Sequence, residues 1–324
     1  MFRRRTLLAS TLAAAALAAP RAACALDPRL AVASFSILAD FLREIGGSIL
    51  EVDSIVGPEM DAHGFQPAPT DAQKLARARF VVINGLGFEG WMPRLIRASG
   101  FRGREIVASR GIATLKAKDH GHSHGHGHGH GHGHGHGHGH SHGHSHSHGE
   151  HDPHIWQDPR RAQAMVRNIA EGLAAADQEA AEAYRTGAAR YVAQLQELDA
   201  WVEAQFAAIP RARRRVVTSH DAFAYYGARY GIDFLSPQGI STSAEPSAQQ
   251  IARLVQQIRR ERIGAIFIEA GASPRVLEQV AAESGARIGG KLYADALSRP
   301  DGPAPTYIAL IRHNTRAIVE ALAG

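Results

Sequence analysis

LAVASFSILADFLREIGGSILEVDSIV, residues 30–56, opens on a largely apolar run from Leu30 to Phe35, interrupted by Ser34 alone. A run of that length reads as a strand covered on both faces. Ile37 to Ile45 then repeats its apolar residues at helical spacing, and Gly46-Gly47 ends that pattern. Glu51 to Val56 reads as a second strand. Strand, helix, strand is the unit of an α/β fold with a parallel sheet.

The rhythm continues outward. After the loop 57–70, Asp71 to Ala78 reads as a helix, Phe80 to Asn84 as a buried strand, Trp91 to Ala98 as a helix and Glu105 to Ala108 as a short strand. Residues 111–151 read as a loop. Asp158-Pro159 places an N-cap and a first-turn proline at the start of a helix that runs to about Ala176. Asp177 is expected to cap a longer helix, Gln178 to about Ala208. Strands are then expected at Val216–Ser219, Phe234–Ser236, Ala265–Glu269 and Arg287–Ile288. Helices are expected at Ala222–Tyr230, Ser247–Glu261, Pro274–Ser284 and Tyr307–Leu322. The fold class is therefore α/β, with two Rossmann-like lobes of parallel sheet joined by a long rigid helix. The divisions are 26–176 for the first lobe, 177–210 for the linking helix and 211–324 for the second lobe.

Residues 1–25 read as an export signal, with Arg3, Arg4 and Arg5 before an Ala-rich apolar stretch and Ala23-Cys24-Ala25 as the cleavage site. Arg4-Arg5 leaves the twin-arginine and Sec routes both open, and the expected location is the periplasm. That segment holds four arginines, at 3, 4, 5 and 21, of the chain's 36 basic residues and none of its 31 acidic ones, leaving the remainder near +1. A nearly neutral chain gives no case for nucleic acid or an anionic membrane surface as partner. Cys24 is the only cysteine, so after cleavage neither disulfides nor thiolate ligands are available.

From His120 to His148, within the loop 119–151, histidine alternates with Gly or Ser. The alternating residues are His120, His122, His124, His126, His128, His130, His132, His134, His136, His138, His140, His142, His144, His146 and His148. This run offers no apolar side chain to a core, and its one chemical resource is imidazole. It is expected to form auxiliary weak metal sites.

Outside the run and its shoulder His151, four histidines remain: His63, His154, His220 and His313. The first three sit just after an expected strand or just before an expected helix, where ligands of open α/β sheets gather. Three imidazoles suit zinc, and Asp295, in LYADAL at 292–297, is the candidate fourth ligand. His313 lies inside the last expected helix and reads as structural.

Six segments carry a resemblance: GPEMDAHGFQP at 57–67, NGLGFEGW at 84–91, DPHIWQDP at 152–159, TSHDAFAYYGARYG at 218–231, IFIEAG at 266–271 and LYADAL at 292–297. In this order the chain resembles the cluster A-I metal receptors of ABC importers, a family of periplasmic zinc and manganese receptors. The resemblance implies metal held between the lobes by His63, His154, His220 and Asp295. It also implies delivery of Zn²⁺ to a membrane ABC permease, a monomer, and no enzymatic activity. A periplasmic metallochaperone is a further expected partner. Manganese members typically carry Glu where His220 stands, so the resemblance favours zinc. Gly64-Phe65-Gln66 departs from a commoner acidic-aromatic-acidic stretch, and the cysteine pair of some zinc members is missing. Glu59, Glu89 and Glu269 are candidates for orienting the ligand histidines. The competing readings are a zinc hydrolase with an open coordination position, and a metal storage protein using the run alone.

Overall fold

The computed structural model describes residues 29–117 and 151–323; the expected export signal and the run 120–148 lie outside them. In the first lobe, β1 (Leu30–Phe35), α1 (Ser36–Gly46), β2 (Glu51–Val56), α2 (Pro69–Arg77), β3 (Phe80–Ile83), α3 (Met92–Ser99) and β4 (Arg104–Val107) follow one another. Their strands form a parallel sheet in the order β2-β1-β3-β4. Every residue of β1 is buried, Ser34 included, as its largely apolar run requires of an interior parallel strand.

The second lobe repeats the plan. It comprises β5 (Arg215–Val217), α6 (Ala224–Tyr230), β6 (Asp233–Leu235), α7 (Ala248–Glu261), β7 (Ala265–Glu269), α8 (Arg275–Ser284) and β8 (Arg287–Leu292), with all-parallel order β6-β5-β7-β8. Between the lobes lie α4 (Pro159–Ala176) and α5 (Ala181–Phe206), and α9 (Tyr307–Ala323) closes the chain. Among the described residues, no helix is long and apolar enough to cross a membrane.

The expected start of α4 holds in detail. Asp158 caps α4 by accepting from Arg160 N at 2.9 Å, with Pro159 in the first turn. Ser247 and Gln250 form a capping box on α7. At 26 residues, α5 spans about 39 Å.

Two expectations are corrected. Asp177 is the C-cap of α4, not the N-cap of the next helix. Its carboxylate is taken by Tyr184 Oη at 3.1 Å and Arg29 Nε at 3.4 Å, so tertiary partners outcompete the local backbone amides, and α5 starts only at Ala181. β8 has six residues instead of the two expected, because pairing with β7 carries it through Gly289-Gly290. Five of those six are exposed, so no hydrophobic pattern announced them.

One apolar core runs through both lobes. Phe35, Phe41, Trp156, Tyr191, Leu198, Tyr226, Leu292 and Tyr307 all belong to it. A separate small cluster (Val217, Leu254, Ile258, Ile266, Leu277, Val280) fills the outer part of the second lobe. Pulling the lobes fully apart would expose the shared core, at about 25 cal/mol per Å² of apolar surface. At the joint, α1 crosses α5 closely enough that a Cβ on Gly187 would lie 2.1 Å from the Ile45 carbonyl oxygen.

Asp40 of α1 is buried at the same joint. It accepts from Tyr307 N at 2.8 Å and from Tyr191 Oη at 3.4 Å. Burial pushes its carboxyl up to about 6, against which the Tyr307 amide works only partly. An acid whose folded value lies above its unfolded value near 3.8 destabilises the fold once ionised. The cost appears as pH rises through that interval and reaches about 3 kcal/mol above it. Asp40→Asn keeps an acceptor for Tyr307 N and removes the charge. It is therefore expected to raise the melting temperature at pH 7.5, with the gain shrinking below pH 5. An equal gain at both pH values would show that ionisation of Asp40 is not its source.

Candidate metal centre

His63, His154, His220 and Asp295 converge where the two lobes meet, with one potential ligand atom from each lying within 4.8 Å of the others. His63 comes from the loop after β2. His154 stands just before the 3-10 turn Ile155–Gln157 that leads into α4. His220 follows β5, and Asp295 follows β8. All four therefore sit at strand ends or at a helix entrance, as placement in open α/β sheets requires. His313 is remote, with Nε2 2.9 Å from the Lys291 carbonyl on the exposed side of α9.

The spacings suit one small cation. His63 Nε2 is 3.2 Å from His154 Nε2 and 3.3 Å from Asp295 Oδ2. His220 Nε2 is 3.1 Å from Asp295 Oδ2, and His154 Nε2 is 3.6 Å from Asp295 Oδ1. A tetrahedron with bonds of about 2.0 Å has edges of about 3.3 Å. His220 Nε2 and Asp295 Oδ1 are buried and make no well-aligned hydrogen bond. A buried polar atom without a partner costs about 1–3 kcal/mol, so two of them in one spot mark a ligand position.

Two of the imidazoles are oriented by carboxylates. Glu269, at the end of β7, faces His220 Nδ1 with Oε2 and accepts Ser219 N and His220 N on Oε1 at 2.8 and 3.0 Å. Asp152 Oδ1 lies 2.8 Å from His154 Nδ1 and accepts His154 N at 2.9 Å. Each carboxylate thus leaves the Nε2 atom for metal. His63 has an apolar wall instead: its ring meets Phe88 edge-on at 4.6 Å, and Phe88 meets Trp156 at 4.8 Å.

Electrostatics separate the histidines. Burial pushes His63 below the ordinary histidine value, and Asp295 only partly offsets this. Burial opposes charge on His220 too, but Glu269 and Asp295 outweigh it and hold that imidazole well above its ordinary value. Burial likewise opposes charge on Asp295, yet His220 and His154 hold its carboxyl well below the usual range. Glu269 and Asp295 thus favour a proton on His220, with which an entering cation competes.

Of the three glutamates expected to orient ligands, only Glu269 does so. Glu89 is buried but accepts from Ser34 Oγ at 2.5 Å, Asn84 N at 2.7 Å and Gly85 N at 3.2 Å, fastening the turn after β3. Glu59 turns outward to Arg299 at 3.4 Å while its amide donates to the Leu297 carbonyl at 2.9 Å. Asp152 was missed, although its position two residues before His154 was the available signal: an aspartate readily turns back onto a backbone N–H two residues on.

Comparison with known proteins identifies the family. The family described as ZnuA, zinc-uptake complex component A periplasmic, matches residues 31–321. The manganese-binding lipoprotein MntA of Halalkalibacterium halodurans is 30% identical over 291 residues, 90% of this chain and 87% of that protein. The iron-binding protein YfeA of Yersinia pestis is 29% identical over 289 residues, 89% of this chain and 85% of that protein. Among solved structures, the periplasmic zinc binding protein TroA from Treponema pallidum superposes with a TM-score of 0.78 at 25% identity, over 91% of this chain and 99% of that one. These proteins bind substrates and are not enzymes, which removes the hydrolase reading. The family match along nearly the whole described chain, on a fold of two parallel-sheet lobes, places this protein in the ZnuA family of periplasmic metal-binding receptors of ABC importers.

Proposed function

We propose that this receptor takes up Zn²⁺, holds it with His63, His154, His220 and Asp295, and delivers it from the periplasm to an ABC permease. The observation that carries the reading is the donor set: three imidazole nitrogens and one carboxylate, with spacings near those of a zinc tetrahedron. Manganese prefers oxygen-rich sites with more ligands, whereas imidazole suits zinc. The divisions 26–176, 177–210 and 211–324 serve this reading as two binding lobes and a joining helix.

The run 120–148 has a separate role, as a collector. Any short piece of it offers several imidazoles, with only Gly or Ser between them. Its sites are expected to be weak and exchangeable.

Titration of protein with and without residues 120–148 tests both parts. The deleted chain is expected to bind one zinc tightly, with a dissociation constant within about threefold of the full chain and with lower total stoichiometry. Run in two buffers of different ionisation enthalpy near pH 7, the tight step should release about one proton, from His220, and weaken as pH falls. Loss of tight binding on deletion would place primary ligands in the run. Unchanged stoichiometry would make the run a spacer.

A further inference from the structure

Asp295 belongs to the second lobe by chain position, yet the backbone on either side of it is held by the first. β8 stays bonded within its own lobe as far as Tyr293, whose N and O pair with the Asn314 side chain at 3.0 and 2.7 Å. At the next residue the partners change. The Ala294 carbonyl accepts two N–H groups from the first lobe, Trp156 Nε1 at 2.9 Å and Gln157 Nε2 at 2.8 Å. Two residues past Asp295, Leu297 N donates to Ser36 Oγ at 3.0 Å, and the Leu297 carbonyl accepts from Glu59 N at 2.9 Å. Asp295 is thus bracketed on both sides by bonds to the opposite lobe.

The Ala294 carbonyl shares a planar peptide unit with Asp295 N and Cα. Fixing that oxygen with two donors fixes the base of the Asp295 side chain. Both donors lie on the 3-10 turn Ile155–Gln157 that directly follows the ligand His154, and both are fully buried. The turn is itself held from below, since Tyr307 Oη donates to the Trp156 carbonyl at 2.6 Å.

Gln157 is an expensive choice for packing alone. Its Oε1 is buried with no hydrogen-bond partner among the described residues. A net hydrogen bond contributes about 1 kcal/mol, whereas an orphaned buried acceptor costs about 1–3 kcal/mol. Trp156 already satisfies the carbonyl. An apolar side chain of similar size would fill the position without the orphan. The amide therefore does not serve stability, and what it does do is aim a second N–H at the peptide that carries Asp295.

We propose that Trp156 and Gln157 form a fork on the Ala294 carbonyl that sets Asp295 against His154 across the lobe boundary, making them positioning residues for metal affinity and coordination geometry. This rests on the proposed metal-receptor reading. It deepens it by assigning the fourth ligand's geometry to the lobe opposite its own.

The test uses the full chain and Gln157→Leu, which removes the amide and its orphan oxygen at near-constant volume. Trp156→Phe is the second variant, keeping a ring in the aromatic wall while removing its N–H. Zinc affinity of the tight site is measured by chelator competition, and cobalt(II) at one equivalent reports coordination geometry by its visible absorption. Gln157→Leu is expected to weaken tight zinc binding about fivefold and to shift the cobalt band, with a metal-free melting temperature equal to or above wild type. Trp156→Phe should change affinity and band in the same direction. Zinc affinity within twofold of wild type with a superimposable cobalt band would overturn the fork. So would a metal-free melting temperature lowered by more than about 4 °C, since the amide would then be a structural prop. Absence of any tight zinc in the wild-type chain would instead overturn the receptor reading and, with it, this inference.

Discussion

His220→Ala in protein lacking residues 120–148 is expected to lose tight zinc binding by roughly 10²–10³-fold. Structural zinc sites gain about 10–16 kcal/mol in total, so one of four ligands accounts for roughly 3–4 kcal/mol. His220 is also the ligand most tightly built into its lobe. Glu269 accepts from its backbone N–H and from that of Ser219, and faces its Nδ1. Alanine therefore removes more than a donor: it leaves the Glu269 carboxylate, itself 3% exposed, facing the space where the imidazole stood. The metal-free fold should suffer as well, since the buried Glu269 and Asp295 both face His220 and hold its imidazole well above the ordinary value. Glu269→Gln separates the two effects. It keeps an acceptor for the ring N–H and lowers affinity by only about 10–100-fold, the usual cost of losing a partner that orients a ligand. Chelator competition on both variants checks this order, and a His220→Ala protein that binds zinc as wild type does would remove His220 from the centre.

His220→Glu is expected to move the metal preference from zinc toward manganese by at least about tenfold. The substitution leaves two imidazoles and two carboxylates, a donor set nearer to what manganese takes. The relatives show that this framework serves more than one metal, because MntA is named for manganese and YfeA for iron. The new carboxylate would face Glu269, and two buried carboxylates side by side resist joint ionisation. Pairing His220→Glu with Glu269→Gln relieves that repulsion and should give the larger shift. Competition titrations of zinc against manganese on wild type and both variants measure it. Wild-type protein that prefers manganese would refute zinc as cargo, and an unchanged ratio in the variants would show that selectivity lies elsewhere.

Much of this protein was legible along the chain because the relevant forces act locally. The all-buried run Leu30–Phe35 announced an interior parallel strand, and Asp158-Pro159 announced a helix start by cap chemistry alone. Strand-end placement drew His63, His154 and His220 out of a chain with 20 histidines, since sheet polarity confines such sites to a few positions. Local signals misled where a side chain had a better distant partner. Asp177 left the helix it was expected to cap for Tyr184 and Arg29. Glu59 and Glu89 sit near the centre in sequence terms, but Arg299 claims one and the turn after β3 the other.

What the sequence by itself determined is the alternation of elements, the two-lobe plan and the candidate donors, because periodicity and capping depend on residues a few positions apart. Only the tertiary structure decided which acids orient the histidines, Asp152 and Glu269, and that the peptide bearing Asp295 is held from the opposite lobe by Trp156 and Gln157. Those contacts join residues up to 138 positions apart, and their strength depends on orientation within a buried, low-dielectric centre. No short stretch of chain encodes that orientation. It is set when the shared core brings the two sheets together with their strand ends facing.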